Sequence, residues 1–257
     1  MINKLIKIFN KIKIFGLPNK FLRKKNNNFI LINSIPKSGT HLLENILCSY
    51  KDIYRPLVKT LNKNNIYKLG PLNNLFKKKY YGNLFLSHLS YEDYSKYLIN
   101  RKNVKIIFLI RHPGAILIAN IYYIKKEKKH KFHNRFKNLD IPKCIDMVLN
   151  EKKENIFYKN ILSFNKWLNH KDILTIRYED IIDSKLYKKD NFFKNLFEFI
   201  NITVDGDFVN KIFENDFKSS LTYRKKTKDW IEELNYEQLI KFKDIYKDIL
   251  KIYGYSN

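Results

Sequence analysis

The stretch Ile35-Pro36-Lys37-Ser38-Gly39-Thr40-His41 brings one cation, two hydroxyls and a glycine together within a few residues. An apolar run precedes it and a helical pattern follows it. In that setting the free N–H groups of a first helical turn point at whatever occupies the loop. Lys37 adds a mobile positive charge, and Ser38 and Thr40 add hydroxyl donors and a cap for the helix. Phosphate or sulfate is the natural guest. The plainer alternative is an ordinary strand-to-helix turn, with Gly39 for tightness and Thr40 as the cap. A nucleotide triphosphatase loop would need a second glycine, separated by four residues from a terminal Gly-Lys-Ser/Thr. Here the lysine precedes the glycine instead.

The elements that must hold this loop follow from alternating apolar runs and longer helical patterns, the mark of a parallel sheet with crossover helices. Strands are predicted over 29–35, 83–88, 105–111 and 172–177, and helices over 40–50, 91–99, 113–125, 145–167, 191–200, 208–215 and 236–252. The expected fold is α/β: a single domain over residues 29–257, with a central parallel sheet flanked by helices. Ligands of such sheets bind beyond the carboxyl ends of the strands. His88 and Arg111 both fall at predicted strand ends. The guanidinium fork of Arg111 suits a phosphate monoester, and Pro113 suits the first turn of the helix after it. Either residue read alone is also an ordinary structural His or surface Arg.

Residues 1–28 form a separate basic segment, with Leu5, Ile8, Phe9 and Ile12 at helical spacing. Two readings stand: a helix lying on an anionic membrane surface, or a terminal helix packed on the domain. Lys4, Lys7, Lys11 and Lys13 interrupt any secretory core. The run 104–124 holds Lys105, Arg111 and His112 and breaks at Pro113-Gly114, so it does not read as a membrane span. Cys48 and Cys144 are too few and too far apart for a disulfide scaffold. A cytoplasmic location follows, with peripheral contact at the inner membrane surface as its variant.

The net charge is +25, which invites a nucleic-acid reading. Only seven of the 50 basic residues are Arg, however, and the Lys is spread along the whole chain. A diffuse excess of this kind lacks the clustering and aromatic interleaving of a nucleic-acid surface. No nucleic-acid partner is expected.

Pro36-Lys37-Ser38-Gly39-Thr40 between a strand and a helix resembles the phosphosulfate loop of the sulfotransferases that use 3′-phosphoadenosine 5′-phosphosulfate (PAPS). Further segments resemble the family in the same order. Ile106 to Gly114 looks like its second nucleotide element, with Arg111 as the strand-end arginine, and Ser87-His88-Leu89-Ser90 occupies the place of its base-bearing strand end. Tyr178-Glu179-Asp180 matches its adenine-contacting Tyr-Glu-Asp, and Phe217 falls at its stacking phenylalanine. Tyr223 to Trp230 is similar to its nucleotide-closing loop, with Arg224 and Lys225 on the 3′-phosphate.

The resemblance implies sulfuryl transfer from PAPS, without a metal, to a hydroxyl or amine of a glycan, lipid or small molecule. His88 would be the general base and Lys37 the charge on the leaving phosphate. The N–H groups of Ser38 to His41 would hold the transferring group, with His41 donating to the sulfuryl oxygens. Departures accompany it. Ala119 stands where the family has a serine, with Asn120 beside it as a substitute donor. Leu42 replaces the family's tryptophan, and the Arg224 loop is one residue shorter and lacks both glycines. The alternatives are a P-loop-type phosphotransferase and a polyanion- or membrane-surface-binding protein.

Overall fold

The computed structural model describes residues 29–55, 59–63, 83–92, 104–168, 170–215 and 229–255. Five strands form one sheet: β1 (Phe29–Ser34), β2 (Leu61–Asn62), β3 (Leu84–His88), β4 (Val104–Ile110) and β5 (Ile173–Arg177). All neighbours pair in parallel in the order β2-β3-β1-β4-β5. The sheet confirms the expected α/β architecture. Its inner strands are near-continuous apolar runs because helices cover both faces. Along β1, Leu31 packs into one core while Ile30 and Ile32 pack into the other, and β4 divides Ile106, Phe108 and Ile110 from Ile107 and Leu109 in the same way.

The helices are α1 (Thr40–Cys48), α2 (Pro113–Lys126), α3 (His133–Phe136), α4 (Ile141–Asn150), α5 (Ile156–Leu162), α6 (Tyr178–Leu186), α7 (Asp190–Phe199), α8 (Gly206–Glu214) and α9 (Tyr236–Ile252). Helices α2, α4, α5 and α9 cover one face, through residues such as Ile121, Ile145, Ile161 and Phe242. Helices α1, α7 and α8 cover the other, through Leu43, Phe197 and Val209. Among the described residues no helix is long and apolar enough to cross a membrane.

The predicted helix over 145–167 divides into several pieces. Asp140 starts it early by accepting from the Lys143 N–H, and Lys152 takes a positive φ of 50° that ends the run. Buried Asn155 then caps α5, its Oδ1 accepting from Tyr158 N–H and from the Tyr246 hydroxyl. The stretch 125–142 touches the domain at particular residues. Phe136 is buried in the core, and half-buried His133 bonds through Nδ1 to the Ile124 carbonyl at 2.9 Å. The basic segment 1–28 and most of the helix expected over 91–99 lie outside the described residues.

Candidate active site

Strand β1 is central, and its neighbours connect on opposite sides, β3 on one and β4 on the other. The crevice beyond its carboxyl end is therefore the point where connections diverge, the usual place for a ligand in such sheets. The Lys37 loop leaves from β1, His88 ends β3, and Arg111 follows β4. Three residues distant in sequence are thus brought to one edge by strand order alone. A buried polar network fixes the spacing of the β1 and β3 ends. Asn33 Nδ2 donates to the Leu89 carbonyl at 3.0 Å, and its Oδ1 accepts from Ser87 Oγ at 2.8 Å and Leu89 N–H at 2.9 Å.

Gly39 is the residue before α1 and has φ 94°, a left-handed conformation that side chains with a Cβ rarely adopt. Space forbids a Cβ as well: one added there would stand 2.4 Å from the Tyr178 ring. Among the described residues no side chain caps this helix start, which leaves first-turn N–H groups for an anion. Two expectations change. The Thr40 hydroxyl is not a cap but lies 2.7 Å from Ser34 Oγ. The Ser38 N–H closes the turn onto the Ile35 carbonyl at 3.1 Å, so the N–H set open to a ligand begins at Gly39.

Two buried polar side-chain atoms at the loop have no partner among the described residues, Ser38 Oγ and Arg111 Nε. Buried donors left unpaired are costly and rare, so a pair of them flanking one loop marks where an anionic ligand completes the bonding. Arg111 is otherwise well held. Its Nη1 donates to the Lys37 carbonyl at 3.2 Å, and its guanidinium lies 4.3 Å over the Tyr178 ring. Tyr178 is thereby wedged between Gly39 and Arg111, a positioning contact at the loop.

The Lys37 backbone also takes a positive φ, 75°. Its ammonium sits 3.1 Å over the centroid of Tyr123 on α2. Burial lowers its pKa to about 8, opposed by the Glu127 carboxylate. It stays mainly cationic at neutral pH. Tyr123 was not singled out in the sequence; a tyrosine on a helix carries no signal of what crosses its face.

His88 Nδ1 stands 2.8 Å from the Ser34 carbonyl and 3.1 Å from Ser34 Oγ. A carbonyl can only accept, so Nδ1 carries the hydrogen and Nε2 keeps its lone pair. Burial, aided by the charges of Lys37 and His41, pushes its pKa down to about 4 against the Ser34 bond. The ring is neutral at ordinary pH, as a proton acceptor must be. His41 is half-exposed, and its Nδ1 bonds Glu44 Oε2 at 2.6 Å.

His112 caps α2, its Nδ1 accepting from the Gly114 N–H at 3.1 Å. Its ring stacks on Trp230 with centroids 4.3 Å apart. Trp230 is thereby packed against the start of the helix that follows Arg111. Phe217, Arg224 and Lys225 themselves lie outside the described residues. Asn120 directs an amide hydrogen to the Ile116 carbonyl of its own helix rather than into the site. Leu42 packs against the second core, so the family's tryptophan position contributes no aromatic here.

A family model described as the sulfotransferase domain matches residues 27–217. Sulfotransferase 2A6 of Rattus norvegicus is 31% identical over 122 residues, 42% of this chain and 42% of the length of that relative. The structure of mouse sulfotransferase SULT7A1 complexed with 3′-phosphoadenosine 5′-phosphate (PAP) covers 87% of this chain and 84% of its own, at TM-score 0.59 and 20% identity. Retinol dehydratase in complex with androsterone and PAP covers 95% of this chain and 86% of its own, at TM-score 0.52 and 14% identity. At such identities the structural likeness establishes the fold.

Proposed function

Because this chain belongs to the sulfotransferase-domain family, we propose that it transfers the sulfuryl group of PAPS to a hydroxyl acceptor. The observation that carries the reading is the Lys37 loop, flanked by the unpaired Ser38 Oγ and Arg111 Nε with neutral His88 beside it. An anion with several oxygens satisfies the first two atoms. A proton-bearing acceptor explains the third group.

In this reading the acceptor oxygen attacks sulfur in line with the bridging oxygen of the phosphosulfate. The new S–O bond forms as the bond from sulfur to that bridging oxygen breaks, and PAP leaves. The acceptor proton passes to Nε2 of His88, whose Nδ1–H is held by the Ser34 carbonyl. Lys37 moves from the Tyr123 face to the bridging oxygen and neutralises the charge growing there. First-turn N–H groups of α1 and the Ser38 hydroxyl hold non-bridging oxygens, already oriented before reaction. Arg111 serves the nucleotide phosphate, and Tyr178 keeps its guanidinium in place. Arg224, Lys225 and Phe217 complete the nucleotide contacts.

Glycan and lipid acceptors are the first to screen, given the basic amphipathic segment 1–28. Titration calorimetry with PAP and with ATP tests the nucleotide half: PAP should bind far more tightly. Transfer of labelled sulfate from PAPS to a panel of hydroxyl acceptors tests the chemistry. Equal binding of ATP with phosphoryl transfer would establish a phosphotransferase instead.

A further inference from the structure

Glu44, on the second turn of α1, is the one ionisable side chain among the buried polar residues described, at 2% exposure. A carboxylate taken out of water is strongly unfavourable unless it is paired and hydrogen-bonded. Both of its oxygens are engaged. Oε1 accepts from Arg55 Nη1 at 2.7 Å and Oε2 lies 2.6 Å from His41 Nδ1. The His41 and Arg55 bonds together outweigh burial and keep the carboxyl below its ordinary value, so it stays ionised.

One cation would balance this charge. The second partner is an imidazole in the first turn of the helix that carries the anion loop, half-exposed at 50%. An ionised carboxylate can only accept, so Nδ1 of His41 carries the hydrogen and Nε2 is the nitrogen left for a ligand. The titratable and charged groups around the cluster are Arg55 and Cys48 beside Glu44 and, beside His41, His88 from the end of β3, which Lys37 also faces. His41 and Lys37 are near enough to His88 to favour its neutral form.

We infer that Glu44 is a positioning residue that holds His41 as a hydrogen-bond donor to the group in transit, so that the site uses two imidazoles in opposite roles. His88, tied to a carbonyl, is the neutral acceptor. His41, whose Nδ1 hydrogen is taken up by the buried carboxylate, donates from Nε2 when the ring carries both hydrogens. The division follows from environment alone, the pattern by which one kind of side chain serves both acid and base chemistry. The inference rests on the sulfuryl-transfer reading. Arg55 holds the carboxylate and keeps it ionised when the imidazole is neutral.

The test is a double-mutant cycle on steady-state sulfate transfer with the full chain. His41→Ala should lower kcat by about a hundredfold, the loss of a donor to the transferring group, with the Kd for PAP little changed. Glu44→Gln should lower kcat by about tenfold, as for other residues that orient a ligating histidine, and should cost nothing further in the His41→Ala background. A Glu44→Gln loss of equal size in both backgrounds, or one confined to the KM for PAPS, would overturn the inference. If Glu44→Gln does not fold, imidazole ¹⁵N spectra of the wild-type chain without nucleotide decide. His41 with hydrogens on both ring nitrogens at the pH of the assay supports the arrangement, and a ring lacking either hydrogen overturns it. A wild-type chain that binds no PAP and transfers no sulfate defeats the parent reading, whatever those spectra show.

Discussion

At the residue scale, the groups proposed for the chemistry are those whose surroundings push them from their ordinary state. His88 is held near pKa 4 by burial and by neighbouring positive charge, and Lys37 near 8 by burial. Between about pH 4 and pH 8 His88 is therefore neutral and Lys37 charged. In the proposed reaction the profile of kcat/KM, which reports the free protein, should fall on the acid side only below pH 5, and loss of the Lys37 charge adds a fall near pH 8. An acid limb centred at 6.5 would mean that His88 is not the group titrating. His88→Ala and Lys37→Ala should each lower kcat by about a hundredfold with PAP binding kept; wild-type turnover in His88→Ala would remove its role. Stability moves in a defined direction as well. With its folded pKa depressed, His88 binds fewer protons folded than unfolded between about pH 4 and 6.5. Stability is therefore lost as pH falls through that window, and His112, also lowered to about 4, adds to the loss. Lys37, Gly39, His88 and Arg111 were legible in the sequence because each ends or follows an apolar run. Glu44, Arg55 and Tyr123 were not, because their meaning lies in contacts between elements that no local pattern announces.

At the element scale, the site is an outcome of strand order more than of any motif. A parallel sheet with β1 central places the ends of β3 and β4 on either side of its loop, and the sequence announced those strands through β-branched apolar runs bounded by polar residues. Helix boundaries were less legible. Asp140 and Asn155 reset the chain at positions that helical periodicity alone does not mark. The start of α2 shows how an element is tied to a distant segment. A Cβ on Gly114 would stand 2.3 Å from the Trp230 ring, which is already stacked on His112 and packed against Phe242. Gly→Ala within a helix ordinarily stabilises by up to about 1 kcal/mol through backbone entropy. Overpacking of an inserted methyl against a fixed ring costs about 1–3 kcal/mol and outweighs it here. Gly114→Ala should accordingly lower the urea midpoint, and by displacing Trp230 it should weaken PAP binding. A raised midpoint would mean that the indole is free to yield.

At the scale of the whole molecule, the charge is distributed rather than aimed. An excess of 25 cations over the acidic residues leaves many lysines without a partner of opposite sign. The surface pairs that do form, such as Lys153–Asp248 and Lys166–Glu92, are more than half exposed, and exposed pairs contribute little. Repulsion among the remaining lysines opposes the compact state and acts over about 30 Å at 0.01 M salt but only about 10 Å at 0.1 M. Added salt screens attraction and repulsion alike, and with this imbalance the repulsion it removes is the larger quantity. Raising sodium chloride from 20 to 200 mM should increase Tm by a few degrees, the shift that about 1 kcal/mol produces in a domain of this size. Chloride is the appropriate salt because sulfate or phosphate would also stabilise by occupying the Lys37 loop. The same screening separates diffuse charge from a built site. Heparin binding should fall steeply over this range, as for any polyanion held by counterion release, while PAP keeps most of its affinity through the buried Ser38 and Arg111 groups. Parallel loss of both would place the nucleotide on the general field of the protein rather than in the crevice at the end of β1.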